Sequence, residues 1–237
     1  MQNLKLLIEY DGTFFYGWEL QPKKRTVRGE IEKALEKIFN QKIKLIAGAR
    51  LDKGVHAMAQ VANFVVEKKV NPCKVKNSLK MLPRDIYVKE VVEVELNFNA
   101  RYDAVSKTYV YKIKFLPSPL LRWRVWEYPW KVEIGKIKEV LPLFIGEHDF
   151  TLFSCKDKGV CEIYKFTVTP TTDGLVFEIE GNRFLHKMVR MIIGSVMEVG
   201  RGKVSLQEIE ASLSLSGKKY PTAPPQGLYL KEIKYKE

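Results

Sequence analysis

Alternating apolar and polar positions open the chain. Leu4, Leu6, Ile8 and Tyr10 share one side of an extended segment over 4–10, and Asp11-Gly12 follows as a turn signal. Past a basic, proline-containing loop, Ile31, Ala34, Leu35, Ile38 and Phe39 recur at helical spacing with charges between them, which predicts an amphipathic helix lying on a sheet. Strands are predicted over 43–49 and 60–66, leaving a loop around Asp52, and Asn71-Pro72 reads as a capped helix start. A strand over 88–95 leads into 98–115, where Tyr109, Tyr111, Ile113 and Phe115 share a face.

The pattern continues in a second half. Residues 136–144 are helix-like as far as Pro142, which ends or kinks the run. Residues 163–181 form two strands joined by a turn at Asp173-Gly174. From Phe184 to Met197 apolar residues keep helical period, leaving Arg183, His186, Lys187 and Arg190 off the stripe. Ser205 and Glu208 have capping-box spacing before a last helix, and 228–235 closes as a strand. Strands, hairpins and helices in both halves predict an α+β protein of two subdomains, 1–103 and 104–237.

Composition adds a partner class. Forty Lys and Arg against 28 Asp and Glu give a formal charge of +12, which concentrates polyanions around the chain and makes nucleic acid the leading partner. Cys73, Cys155 and Cys161 are odd in number and irregular in spacing, so neither a disulfide framework nor a Cys-x-x-Cys zinc site is expected, and they read as buried, reduced thiols. The start lacks a signal peptide's apolar core and no run approaches the roughly 20 residues that span a bilayer, so a soluble cytoplasmic protein without a membrane partner is expected.

Elimination narrows the chemistry. His56, His148 and His186 have no metal-ligand spacing, and phosphate-cradling glycine loops and Gly-x-Ser-x-Gly elbows are absent, so no metal, nucleotide cofactor or serine nucleophile is expected. Carboxylates remain. Asp52 lies between Arg50 and Lys53, before Gly54, in a loop between two apolar strands, where a rigid scaffold commonly holds a reacting group. Asp-x-Gly is also ordinary turn chemistry, and spacing alone favours that plainer role. Tyr109 and its face-mates fit a strand core as well as a base-stacking platform, and Arg190 fits a solvated helix face as well as a phosphate contact.

Together, these segments resemble the tRNA pseudouridine synthase family called TruA, in order along nearly the whole chain. The family's Tyr-Asp-Gly-Thr, Gly-Trp and Gln-Pro stand here as YDGTFFYGWELQP at 10–22, followed by Thr26-Val27. Its Gly-Arg-Thr-Asp-Ala-Gly-Val-His stands as ARLDKGVH at 49–56. FNARYDAVSKTYVYKI from 98, GEHDFTLF at 146–153, FLHKMVRMIIGSVMEVG at 184–200 and QGLYL at 226–230 complete the likeness. The sequence departs from the pattern at Ala49 (glycine), Leu51 (threonine), Glu19 (glutamine) and Arg28 (often glutamine).

The resemblance implies two similar subdomains, each a largely antiparallel sheet with helices on one face, forming a basic RNA-binding cleft. It implies isomerisation of uridine to pseudouridine at positions 38, 39 and 40 of the tRNA anticodon stem-loop, by a homodimer that binds tRNA across both subunits and needs no cofactor. Asp52 then maps to the catalytic aspartate, as nucleophile or base, and Tyr109 to the ring stacking on the extruded uracil. Arg50 maps to a residue that holds RNA or fills the space the base leaves, and Arg190 to the partner of the carboxylate. A noncatalytic RNA-binding or tRNA-folding protein of the same fold is the alternative. A glycosidase with paired carboxylates is a more distant one, which would release the base without rejoining it.

Overall fold

The computed structural model describes residues 1–236. The chain divides into two compact units. The first comprises Met1–Val105 together with the stretch from Tyr229 onward, and the second comprises Ser106–Leu228.

In the first unit, strand β1 (Gln2–Tyr10) turns Leu4, Leu6 and Ile8 into the core, with no exposure at any of the three. A single 3-10 turn, Gly12–Phe14, follows, with the Asp11 carboxylate accepting from the Thr13 N–H. Helix α1 (Val27–Phe39) starts where the Thr26 hydroxyl accepts from the Gly29 N–H, and it ends at Asn40 in a left-handed conformation. Its apolar stripe buries Ile31, Ala34 and Leu35, and Phe39 meets Phe64 edge-on at 5.8 Å, which seats the helix on the sheet as the spacing predicts. Strand β2 is only Ile46–Ala47, shorter than the 43–49 expected, because its pairing is confined to Asn63 and Ala62. Strand β3 (His56–Val66) begins earlier than expected and pairs antiparallel with β1, Leu4 opposite Phe64 and Leu6 opposite Ala62. Helix α2 (Pro72–Ser78) has the predicted Asn71 cap, whose side chain accepts from the Cys73 and Lys74 N–H groups. Strand β4 (Ile86–Val94) covers the other edge of β1.

In the second unit, β5 (Ala104–Lys114) pairs through Tyr109 and Tyr111 with Ile179 and Phe177 of a later strand. The two-residue β6 (Trp126–Glu127) runs parallel to it. Helix α3 (Ile134–Val140) gives way to a 3-10 turn over Leu141–Phe144, so Pro142 ends the α-helical part as anticipated. A four-residue strand, β7 (Gly146–Asp149), pairs with β8 (Val160–Thr171), which forms the expected hairpin with β9 (Gly174–Gly181). Helix α4 (Met188–Gly200) starts four residues later than the apolar period suggests. Lys187 has φ 63 and the preceding residues are loop, so Arg183, His186 and Lys187 are not on a helix face. Helix α5 (Leu206–Leu213) opens with the full capping box of Ser205 and Glu208.

The chain ends with β10 (Leu228–Tyr235), parallel to β3 with Tyr229 opposite His56 and Leu230 opposite Ala57. The division therefore differs from one at residue 103 alone: the final strand belongs with the first unit, where Leu230 and Ile233 are buried and the Tyr235 hydroxyl donates to the Ala100 carbonyl at 2.8 Å. Two of the three cysteines also depart from expectation. Cys73, in the first turn of α2, and Cys155 are exposed and only Cys161 is buried, where burial pushes its thiol up despite Arg183. Among the described residues no helix is long and apolar enough to cross a membrane, and no cluster of three or more His, Cys, Asp and Glu could hold a metal ion.

Candidate active site

The loop over 48–55 joins β2 to β3, and its backbone is tied down along its length. The Gly48 N–H donates to the Val61 carbonyl at 2.8 Å. The buried Gln60 carboxamide then takes both polar groups of Ala49: its Oε1 accepts from the Ala49 N–H at 3.2 Å and its Nε2 donates to the Ala49 carbonyl at 2.8 Å. The Leu51 carbonyl accepts from the Trp18 N–H at 2.9 Å, and the Val55 N–H closes a turn onto the Asp52 carbonyl at 3.2 Å. Side chains alternate along the loop. Ala49 and Leu51 are buried, Arg50 and Lys53 are exposed, and Asp52 is half-buried between them.

Two glycines let the neighbouring segment approach this closely. A Cβ on Gly12 would lie 2.0 Å from the Val55 carbonyl oxygen, and one on Gly17 would lie 2.8 Å from that of Leu51, at a φ of +99 that side chains rarely adopt. His56, where β3 begins, is buried, accepts from the Gly12 N–H at its Nδ1 at 3.1 Å, and stacks on Tyr229 at 4.7 Å.

Cations surround the loop in an ordered way. Lys53 and Lys24 place their ammonium groups 4.3 and 4.4 Å from the centre of the Tyr16 ring. Arg50 pairs through Nε with Glu19 at 3.1 Å, Glu19 also accepts from Arg28 at 2.9 Å, and Arg28 donates from Nε to Glu32 at 2.7 Å. Burial works against the Arg28 charge, but Glu32 and Glu19 outweigh it and hold the guanidinium above its ordinary range.

The other two candidates lie in the second unit. Tyr109 is buried on β5, its ring edge-on to Phe184 at 5.1 Å. Arg190 lies in the first turn of α4, donates from Nε to the Ala223 carbonyl at 2.7 Å, and accepts at its own carbonyl from the Ala223 N–H at 3.0 Å. Tyr111 donates its hydroxyl to the Pro224 carbonyl at 2.7 Å, and burial pushes its pKa well up in spite of Arg190. Asp52 and Arg50 thus share one loop of the first unit, and Tyr109 and Arg190 share the second.

A family model described as tRNA pseudouridine synthase matches residues 6–103 and 141–236. The chain belongs to that family. The tRNA pseudouridine synthase A of Acetivibrio thermocellus is 40% identical over 245 residues, covering 99% of this chain and all of the relative. The protein of the same name from Geobacillus sp. (strain WCH70) is 39% identical over 244 residues, covering 99% of this chain and 98% of the relative. Among solved structures, a Cbf5-Nop10-Gar1 complex matches with a TM-score of 0.39 and 15% identity over 95% of this chain and 57% of that chain, too remote a likeness to bear on function.

For a pseudouridine synthase, the departures from the TruA pattern fall in two places. Ala49 and Leu51 are the inward positions of the loop, so their side chains pack in the first unit while the alternate positions face outward. Glu19 and Arg28 are in contact with each other. Sequence reasoning named neither Gln60 as the clamp of the loop nor Phe184 as the neighbour of Tyr109. Both are long-range contacts between residues whose own segments read as ordinary strand and helix, so no local signal marks them. The Glu19–Arg28 pair was open to discovery as two unusual residues nine apart.

Proposed function

We propose that this pseudouridine synthase isomerises uridine in the tRNA anticodon stem-loop, at positions 38, 39 and 40, with Asp52 as the catalytic residue. The observation that carries this is the Asp52 loop, tied through the backbone at Gly48, Ala49, Leu51 and Val55, with Asp52 itself half-buried. A carboxylate held on a rigid scaffold acts without reorganising at the moment of reaction.

The reaction breaks the bond from N1 to C1′, turns the uracil and joins C5 to C1′, with the C5 proton lost and a proton gained at N1. Atoms and electrons balance within the nucleotide, so the proposed chemistry involves no cofactor. Asp52 serves either as the nucleophile that traps C1′ or as the base that removes a sugar proton. Arg50 is proposed to hold the RNA or fill the place of the extruded base, Tyr109 to stack on the uracil, and Arg190 to stand by the carboxylate through the reaction. Extrusion of a base costs a few kcal/mol, which phosphate contacts by a chain of charge +12 offset. The cytoplasm is the proposed compartment and a homodimer the proposed active species, which light scattering at working concentration tests directly.

Asp52→Ala decides the catalytic assignment. The variant is expected to bind unmodified tRNA as the parent does and to form no pseudouridine, mapped at single-nucleotide resolution. Pseudouridine formed by the variant at the parent's rate would overturn the assignment and favour a different acid. No pseudouridine from the parent, with binding intact, would favour the noncatalytic reading.

A further inference from the structure

Glu19 shares its carboxylate between two arginines of very different setting. Its Oε2 accepts from Arg28 at 2.9 Å and its Oε1 faces Arg50 Nε at 3.1 Å. Arg28 is also fixed from behind, because its Nε donates to Glu32 Oε1 at 2.7 Å and that same oxygen accepts from the Leu45 N–H at 2.8 Å. Side-chain exposure rises outward along the chain of charges, from 11% at Glu32 and 14% at Arg28 to 37% at Glu19 and 62% at Arg50. The backbone beneath is fixed as well: Trp18 donates its N–H to Leu51 and accepts from the Arg28 N–H at 3.2 Å, so Glu19 leaves a segment bound both to the Asp52 loop and to α1.

The inner part of this series is held by several bonds, and its outer pair is a single wet contact. Exposed ion pairs are weak and exchange readily, whereas half-buried, doubly bonded ones do not. Arg28 is already balanced by Glu32, so departure of Arg50 leaves one carboxylate charge in excess at Glu19 while the bonds behind it stay in place.

We propose that Glu19 is a positioning residue that parks Arg50 in the RNA-free protein, and that Arg50 exchanges the Glu19 carboxylate for a phosphate of the substrate RNA on binding. The inference rests on the reading that the Asp52 loop meets RNA. Its signature is electrostatic. When a phosphate takes an arginine from a carboxylate, the carboxylate regains a cation, which cancels the counterion that the phosphate releases. Removing the Glu19 charge ends the cancellation.

Binding of one unmodified tRNA, measured across a salt series in the Asp52→Ala background so that nothing turns over, tests this. Glu19→Gln is expected to bind about threefold more tightly at low salt, the factor expected when one exposed ion pair no longer competes. Its slope of log affinity against log salt is expected to steepen by about one. The same substitution in an Arg50→Ala background is expected to change neither quantity. Glu19→Asp, which keeps the charge but draws it back from Arg50, is expected to fall between parent and Glu19→Gln. An unchanged affinity and slope in Glu19→Gln overturns the proposal, as does equal tightening with and without Arg50, which would make Glu19 a simple repulsive charge. A purely structural role predicts loss of binding by the same factor at every salt concentration, and that too overturns it. Pseudouridine assays with Asp52 restored separate the readings: a flat salt comparison with an inactive Asp52→Ala sinks only the Glu19 inference, while an active Asp52→Ala sinks the catalytic assignment.

Discussion

Gln60 illustrates how a residue far from any reacting atom sets a site. Its amide bonds both polar groups of Ala49, and the side chain is fully buried. Gln60→Leu keeps the volume and strands a buried donor and acceptor, which costs about 1–3 kcal/mol for each group left unsatisfied. The expected result is a lower midpoint in chemical denaturation and a drop in kcat larger than the change in tRNA affinity, since the Asp52 loop hangs from that bond. Gly12→Ala tests the same loop from outside. Its Cβ would enter the space of the Val55 carbonyl at 2.0 Å, and since that neighbour is backbone the loop itself must shift. The variant is expected to fold with reduced stability and to lose most isomerisation, read by thermal melting beside pseudouridine mapping. Asp52 itself was legible only through its ordered neighbours; taken alone, Asp-x-Gly between two strands is what any tight turn looks like.

Elements with capping chemistry were the most readable part of the chain. Thr26, Asn71 and the Ser205–Glu208 pair each begin a helix as a side-chain oxygen near a donor-rich terminus should. Helix α4 shows the converse. Apolar residues at 184 and 185 fit the period of those at 188 and 189, yet periodicity reports faces and not ends. No Ser, Thr or Asp stands in 183–187 to cap an earlier start, Lys187 turns left-handed, and Phe184 goes instead to the ring of Tyr109. Strands β6 and β7 are too short to show alternation at all. The α5 cap also carries a pH dependence. The Lys218 hydrogen bond and the Ser205 N–H hold the Glu208 carboxyl below its ordinary value of 4.5. A depressed carboxyl contributes its stabilisation above the ordinary value and loses it as pH falls through the folded one. Amide exchange in the first turn of α5 is therefore expected to accelerate as pH drops below about 4.5 relative to the intrinsic rate, and Glu208→Gln is expected to flatten that response.

At the scale of the molecule, charge and connectivity matter most. A formal charge of +12 predicts tRNA affinity that falls steeply with salt, by a slope that counts the phosphates engaged. Connectivity was only half visible in sequence: alternation over 228–235 announced a strand, but nothing in one strand's own residues tells which sheet receives it. Its partner is β3, and the core of the first unit depends on it. Leu230 is fully buried opposite Ala57, so Leu230→Ala is expected to destabilise that unit by about 2–5 kcal/mol, the usual range for a buried leucine. Hydrogen exchange in β1 and β3, compared with that in β8 and β9, reads the loss unit by unit.

The return of β10 also orders events during synthesis. The ribosome makes Asp52 and its loop early, then the whole of the second unit, and only afterwards the strand whose Tyr229 stacks on His56 beside that loop. Domains of a nascent chain fold as they emerge, yet here the first unit must wait for the second. The candidate site is thus translated before the second unit and completed only after it, so a chain still being elongated carries the acid without its finished setting.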